Sequence, residues 1–190
     1  MVNAINDSAK SNNENVFLIT LLALICSLGP LATDMYLPAF PEITQYFSTT
    51  PSMVQLTITT WLIGLAVGQI LAGPLSDIYG RQKPLILGLV VFTISVIACI
   101  FSPSIELFIF VRLIGGFAAS SALVISRAIA SDIYSGTMLT KFLSTVMIIQ
   151  GIAPIIAPVA GGQLLRFFPW TSVFVILMIA GFVIIALSIF

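Results

Sequence analysis

An all-α integral membrane protein with six transmembrane helices is what this sequence predicts, on three observations. The chain of 190 residues is 59% hydrophobic and only 7% charged. A soluble domain carries roughly 25% charged residues, so a water-facing fold would lack the polar surface to cover itself. The apolar residues fall in six runs, each near the ~20 residues needed to cross a bilayer. These runs have no period-two alternation, and a backbone in lipid must bond within itself, which selects helices over barrel strands.

In chain order, residues 1–15 are polar and rich in Asn and Ser, and read as a disordered cytoplasmic tail ahead of a membrane domain at 16–190. Lys10 and the apolar run after it have the outline of a signal peptide. No small-x-small cleavage site follows, however, and the run continues towards Pro38, so a first span at 16–37 is the preferred reading. The remaining spans are expected at 53–72, 84–101, 106–125, 142–164 and 171–190, with ends good to ~2–4 residues. Lys10, Arg81, Lys83 and Lys141 fall on one side, and only Arg166 lies in a loop on the other. The positive-inside rule then places the N-terminus in the cytoplasm. Tyr46, Phe47, Phe167, Phe168 and Trp170 are expected as interfacial belt residues. Phe190 closes the sixth run with no basic anchor after it, which is the pattern of a fragment.

Composition excludes several functions. Seven basic and seven acidic residues cancel, so nothing points to nucleic acid. The absence of histidine removes His triads, His metal sites and histidine switching. Cys26 and Cys99 lie in separate apolar runs and read as small buried apolar residues. No HExxH pattern and no nucleophile–base pair supports an enzyme, and no cofactor or metal is called for. A membrane scaffold would need none of the charges described next.

Asp34 and Arg112 each sit inside an apolar run. An ionised group in hydrocarbon costs at least ~2.5–3.5 kcal/mol, and such residues mark function by default. Arg112 lies about six residues after the outer start of its span, and Asp34 about six before the outer end of helix one if that end is near Phe40, hence both ~9 Å deep at the helical rise. Equal depth is a necessary condition for a pair across a polar cavity. A static pair, or two side chains each snorkelling outward, fits the sequence as well. Glu106, nearer the surface, reads as interfacial.

The segment between spans two and three reads Gly73-Pro74-Leu75-Ser76-Asp77-Ile78-Tyr79-Gly80-Arg81-Gln82-Lys83-Pro84. It is expected as a tight cytoplasmic hairpin. Gly73 and Gly80 would permit unusual dihedrals, and Asp77 would take backbone N–H groups or a helix N-terminus. Asp77 and Arg127 are both near cytoplasmic helix ends and are candidates for an inner gate. Pro154 and Pro158 would kink span five, while Gly151, Gly161 and Gly162 let another helix approach. Such a helix is either a moving seam or a bent packing helix. For Gly64-x-x-x-Gly68, small-residue packing is explanation enough. Tyr36, Gln55, Trp61, Gln69 and Gln150 are candidates to line a substrate path.

The Gly73–Pro84 run resembles the signature loop of the major facilitator superfamily, with Ile78 and Gln82 standing where basic residues are usual. Leu31-Ala32-Thr33-Asp34-Met35-Tyr36-Leu37-Pro38-Ala39-Phe40-Pro41 resembles the end of helix one in drug:proton antiporters of the bicyclomycin-resistance/CflA subgroup. Arg112-Leu113-Ile114-Gly115-Gly116 is similar to the fourth-helix motif, and the Gly151 to Gly162 stretch to the fifth-helix antiporter motif, with Ala157 in place of a usual Gly. The resemblance covers the first half of a twelve-helix family member. It implies two inverted three-helix repeats, with helices one and four side by side on a central cavity. It also implies proton-coupled efflux of small, mostly apolar drug-like substrates across a bacterial inner membrane, with Asp34 and Arg112 in the coupling. The implied partners are the proton, the drug and the lipid bilayer, together with a missing C-terminal half or a second six-helix subunit. An inactive fragment is the alternative.

Overall fold

The computed structural model describes the backbone of residues 2–189 and the side chains of 18–188. Its helices are α1 (Val2–Asp34), α2 (Phe40–Tyr46), α3 (Pro51–Tyr79), α4 (Gln82–Ile100), α5 (Ile105–Ile133), α6 (Gly136–Leu164) and α7 (Thr171–Ile189), with a 3-10 turn at Leu37–Ala39. Among the described residues there is no strand. Six segments are long and apolar enough to cross a membrane: Leu18–Tyr46, Pro51–Tyr79, Gln82–Ile100, Ile105–Ile133, Gly136–Leu164 and Thr171–Ser188.

The class and order are those expected, but three helices are longer. α3, α5 and α6 each run 29 residues, about two turns past their apolar windows at the Arg81 end. An apolar window marks lipid contact, whereas a helix continues while its own ladder is satisfied, so Ser76, Asp77, Ser131 and Asp132 carry it onward. The backbone of α1 is likewise helical from Val2, where a disordered tail is expected from the sequence. The first span is interrupted instead near its far end. α1 stops at Asp34, and the 3-10 turn Leu37–Ala39 precedes α2, because Pro38 and Pro41 lack the N–H that would continue the ladder.

α5 crosses α3 with the two backbones nearly touching. A Cβ on Gly64 would strike the Leu113 carbonyl, and one on Gly116 would strike the Trp61 carbonyl. The Gly64–Gly68 pair is thus a packing motif, as its spacing suggests. On the opposite side Gly161 of α6 meets the Met35 carbonyl in the same manner, and Gly181 of α7 rests on Thr93 of α4. Exchanging α1 with α5, α3 with α6 and α4 with α7 maps the α3–α5 contact onto α6–α1 and the α4–α5 contact onto α7–α1. Three spans per repeat reverse the direction of travel, so the equivalent helices run oppositely.

The end of the bundle opposite Arg81 is closed by aromatic rings rather than ringed by them. Trp170 is 2% exposed, and its ring lies edge-on to Phe108 at 5.7 Å and to Phe174 at 5.8 Å. Its backbone N–H donates to Glu42 Oε1 at 3.1 Å. This corrects the belt reading for Trp170: the loop folds inward, and the indole caps the core. Phe47 is also half-buried against Phe108, whereas Phe167, Phe168 and Tyr46 stay exposed.

Candidate functional site

Arg112 stands in the third turn of α5, whose start is capped by the Ser104 hydroxyl accepting from Leu107 N–H. Its side chain is 2% exposed. Nη1 donates to the Ala32 carbonyl at 3.1 Å. That carbonyl is available because α1 ends at Asp34, and the last four carbonyls of a helix have no partner in the ladder. The same end carries the negative pole of the helix, so a cation there is favoured. The guanidinium carbon lies 4.4 Å from the Tyr36 ring centroid and 4.3 Å from that of Trp61. Nε and Nη2 of Arg112, and Nε1 of Trp61, are buried without a hydrogen-bond partner.

Asp34 takes no part in this cluster. Among the described residues no ion pair involves Asp34 or Arg112, which corrects the expected direct pair. The reason is helical geometry: two residues on an α-helix are roughly 200° apart. Ala32 turns inward towards α5 with its side chain fully buried, so Asp34 turns away. It opens instead into a cleft of about 250 Å³ lined by Cys26, Gly29, Pro30 and Thr33 of α1, Leu62 and Leu65 of α3, Ala119 and Leu123 of α5, and Gln150 and Pro154 of α6. Thr33 Oγ1 is occupied, donating to the Gly29 carbonyl at 2.8 Å. Gln150 Oε1 accepts from Arg127 Nη2 at 3.1 Å, so an exposed cation is tethered to the cleft wall. Asp34 and Arg112 therefore meet different sides of the end of α1.

At the other end of the bundle Arg81 ties two helices together. It pairs with Asp77 of α3, donates from Nη1 to Ser76 Oγ at 2.7 Å, and donates from Nε to Asp132 Oδ2 of α5 at 2.8 Å. The hydrogen bond to Asp132, with the pair to Asp77, raises the Arg81 pKa above its ordinary value. The proposed Asp77–Arg127 gate is therefore not formed: Asp77 faces Arg81, and Arg127 faces Gln150. The expected hairpin is also shorter than its motif. Gly73 and Pro74 lie inside α3, and only Gly80 and Arg81 separate α3 from α4. Gly80 has φ +82°, the left-handed region that favours glycine, while Gly73 is an ordinary helical residue. Lys83 sits exposed in the first turn of α4. Asp132 was missed from sequence. Its signal was an acidic residue late in α5, but it became legible only once that helix was seen to reach the Arg81 level.

α6 runs unbroken through both Pro154 and Pro158. Gly161 packs on the Met35 carbonyl, a Cβ added to Gly162 would lie 4.0 Å from Pro38, and Gly151 faces open space. Of the candidate path residues, Gln150 lines the cleft and Gln55 is exposed. Tyr36 and Trp61 line no open cleft here: at 0% and 1% exposure they are core residues that stack on Arg112. Their large apolar rings make them the natural lining for a buried cation.

Comparison with known proteins follows the same lines. The family model described as Major Facilitator Superfamily matches residues 22–190. An uncharacterized MFS-type transporter, YdgK of Bacillus subtilis (strain 168), is 44% identical over 179 residues, covering 93% of this chain and 44% of that protein. A bicyclomycin resistance protein homolog of Haemophilus influenzae is 33% identical over 175 residues, covering 92% and 44% respectively. The multidrug resistance protein MdtL of Escherichia coli O157:H7 is 32% identical over 174 residues, again covering 92% and 44%. The chain thus spans less than half the length of the curated relatives it matches.

Proposed function

The chain belongs to the Major Facilitator Superfamily, and from that premise we propose that it supplies the proton-responsive half of a drug:proton antiporter. One observation carries the reading. A carboxylate, Asp34, opens into a cleft among four membrane helices, while a fixed cation, Arg112, holds the same helix end from behind. The printed names of two relatives, one a bicyclomycin resistance homolog and one a multidrug resistance protein, suggest small, mostly apolar drugs as cargo.

The mechanism proposed runs through α1. An ionised Asp34 adds negative charge to a helix end that is already the negative pole, and Arg112 offsets that charge through the Ala32 carbonyl. Protonation of Asp34 removes the extra charge and weakens the hold of Arg112 on the end of α1. The break at Met35 and the proline-bearing turn after it is where such a change would be absorbed. Drug and proton compete for the cleft, and because each binds the two states differently, the equilibrium between them shifts.

The cleft is open on one side, and exposed apolar residues flank it on α3 (Ile63, Val67, Ile70) and α6 (Met147, Ile148, Ile155). Further helices, in the same protein or in a second six-helix subunit, would complete it. With Arg81, Lys83 and Lys141 facing the cytoplasm, the N-terminus lies inside and the membrane is the bacterial inner one.

The test is Asp34→Asn in the full-length protein in proteoliposomes, with uptake driven by an imposed pH gradient and chloramphenicol as the probe drug. Gradient-driven flux is expected to vanish while the purified variant keeps its helical content. Flux equal to that of the unmodified protein would remove Asp34 from coupling. The match to 44% of the relatives' length is the ground for a second reading, a half completed by further helices of the same protein or of a second subunit. Size exclusion with mass measurement in mild detergent separates a monomer from a dimer.

A further inference from the structure

Arg112 poses a physical problem that the transport reading does not solve. It is a permanently charged group, 2% exposed, in a membrane span, with no carboxylate bound to it among the described residues. One carbonyl, that of Ala32, meets one of its five N–H bonds. Beyond that carbonyl at the negative pole of α1, the charge is met by two ring faces, Tyr36 at 4.4 Å and Trp61 at 4.3 Å. Cation–π attraction strengthens when both partners are desolvated, and arginine, planar and weakly hydrated, stacks where lysine does not.

Both rings are held in place independently of Arg112. The Tyr36 hydroxyl bonds Thr57 Oγ1, and Thr57 in turn donates to the Val54 carbonyl at 2.5 Å. Trp61 is pinned by its backbone contact with Gly116 and by Phe92, whose ring is edge-on at 6.3 Å. Thr57 and Trp61 are four apart on α3, so one face of that helix both fixes the first ring and supplies the second.

We propose that Tyr36 and Trp61 are positioning residues, an aromatic clamp that holds the Arg112 guanidinium seated on the Ala32 carbonyl, with its Nε–Nη2 edge left free. The clamp takes the place of the carboxylate that a buried guanidinium ordinarily requires. It also explains why Asp34 is at liberty to face the cleft. The transport arm of the test rests on the antiporter reading; the stability arm does not.

The experiment places mono-, di- and trifluorotryptophan at position 61 of the full chain by site-specific incorporation. Fluorine drains the ring face of negative potential with little change of volume, so a residue serving only as filler is indifferent to it. The thermal midpoint in detergent is expected to fall stepwise through the series, and the slope to disappear in an Arg112→Met background, or Arg112→Gln if the former does not purify. Gradient-driven flux is expected to fall about tenfold across the series, as loss of a desolvated cation–π contact implies. Trp61→Phe should retain more stability than Trp61→Leu. A midpoint indifferent to fluorination, or a slope unchanged without Arg112, would overturn the clamp. If the unmodified full-length protein shows no gradient-driven flux, the antiporter reading fails, and the midpoint series still decides the clamp.

Discussion

Replacing Gly116 by alanine is expected to destabilise the bundle by about 1–3 kcal/mol, the usual cost of forcing a methyl into a filled core. The added Cβ would sit 2.9 Å from the Trp61 carbonyl carbon and 3.1 Å from its Cα, and closer still to the carbonyl oxygen. Comfortable carbon–carbon contact begins near ~3.5 Å. The obstructing atoms are backbone, so no rotamer change relieves them. The α3 and α5 axes must part, and Gly64 and Gly68, which use the same close approach, lose contact with them. Gly151→Ala in α6 is the matched control. It brings the same helix-propensity gain, up to ~1 kcal/mol, but its Cβ would meet nothing within 4 Å. The assay is thermal unfolding of the purified chain in detergent, followed by helical circular dichroism. Gly116→Ala should lower the midpoint, while Gly151→Ala leaves it level or raises it. Equal midpoints for the two variants would mean that α3 and α5 do not meet backbone to backbone, and the seat of Trp61 beside Arg112 would go with that contact.

Three further outcomes are expected. Asp34→Asn should abolish flux driven by a pH gradient and leave the thermal midpoint near that of the parent, since Asp34 makes no ion pair among the described residues; a collapse of the midpoint would make it structural. Trp170→Ala should cost about 3–5 kcal/mol, the range for emptying a buried aromatic site, whereas Phe168→Ala, at 57% exposure, should stay within ~0.5 kcal/mol, both read as midpoints in one detergent. Arg81→Ala should produce a small loss that disappears in high salt, because its partners Asp77 and Asp132 are more than half exposed and such pairs are screened. On pH, the bond to Asp132 raises the Arg81 pKa, so its contribution is complete below the ordinary arginine value. It is lost only as pH rises through the higher folded one, and a midpoint that fell on moving from neutral to mildly alkaline pH would contradict this.

Much of the molecule was legible in the chain itself. Six spans, their order and the helical class followed from apolar run length, because lipid admits so few backbone solutions. The chain also singles out Asp34, Arg112, Arg81 and the glycines Gly64 and Gly161 as residues to place, since charge in hydrocarbon and small residues at fixed spacing are each rare without cause. What the chain could not disclose was which way each of these faces. Depth follows from counting residues, but azimuth depends on which helix lies alongside, and a break such as that after Asp34 resets it. So Asp34 and Arg112 make no ion pair among the described residues, Asp77 turns to Arg81 instead of Arg127, and Tyr36 and Trp61 stack on a cation. Partner choice is a property of packing between helices distant in sequence, and only the assembled bundle decided it.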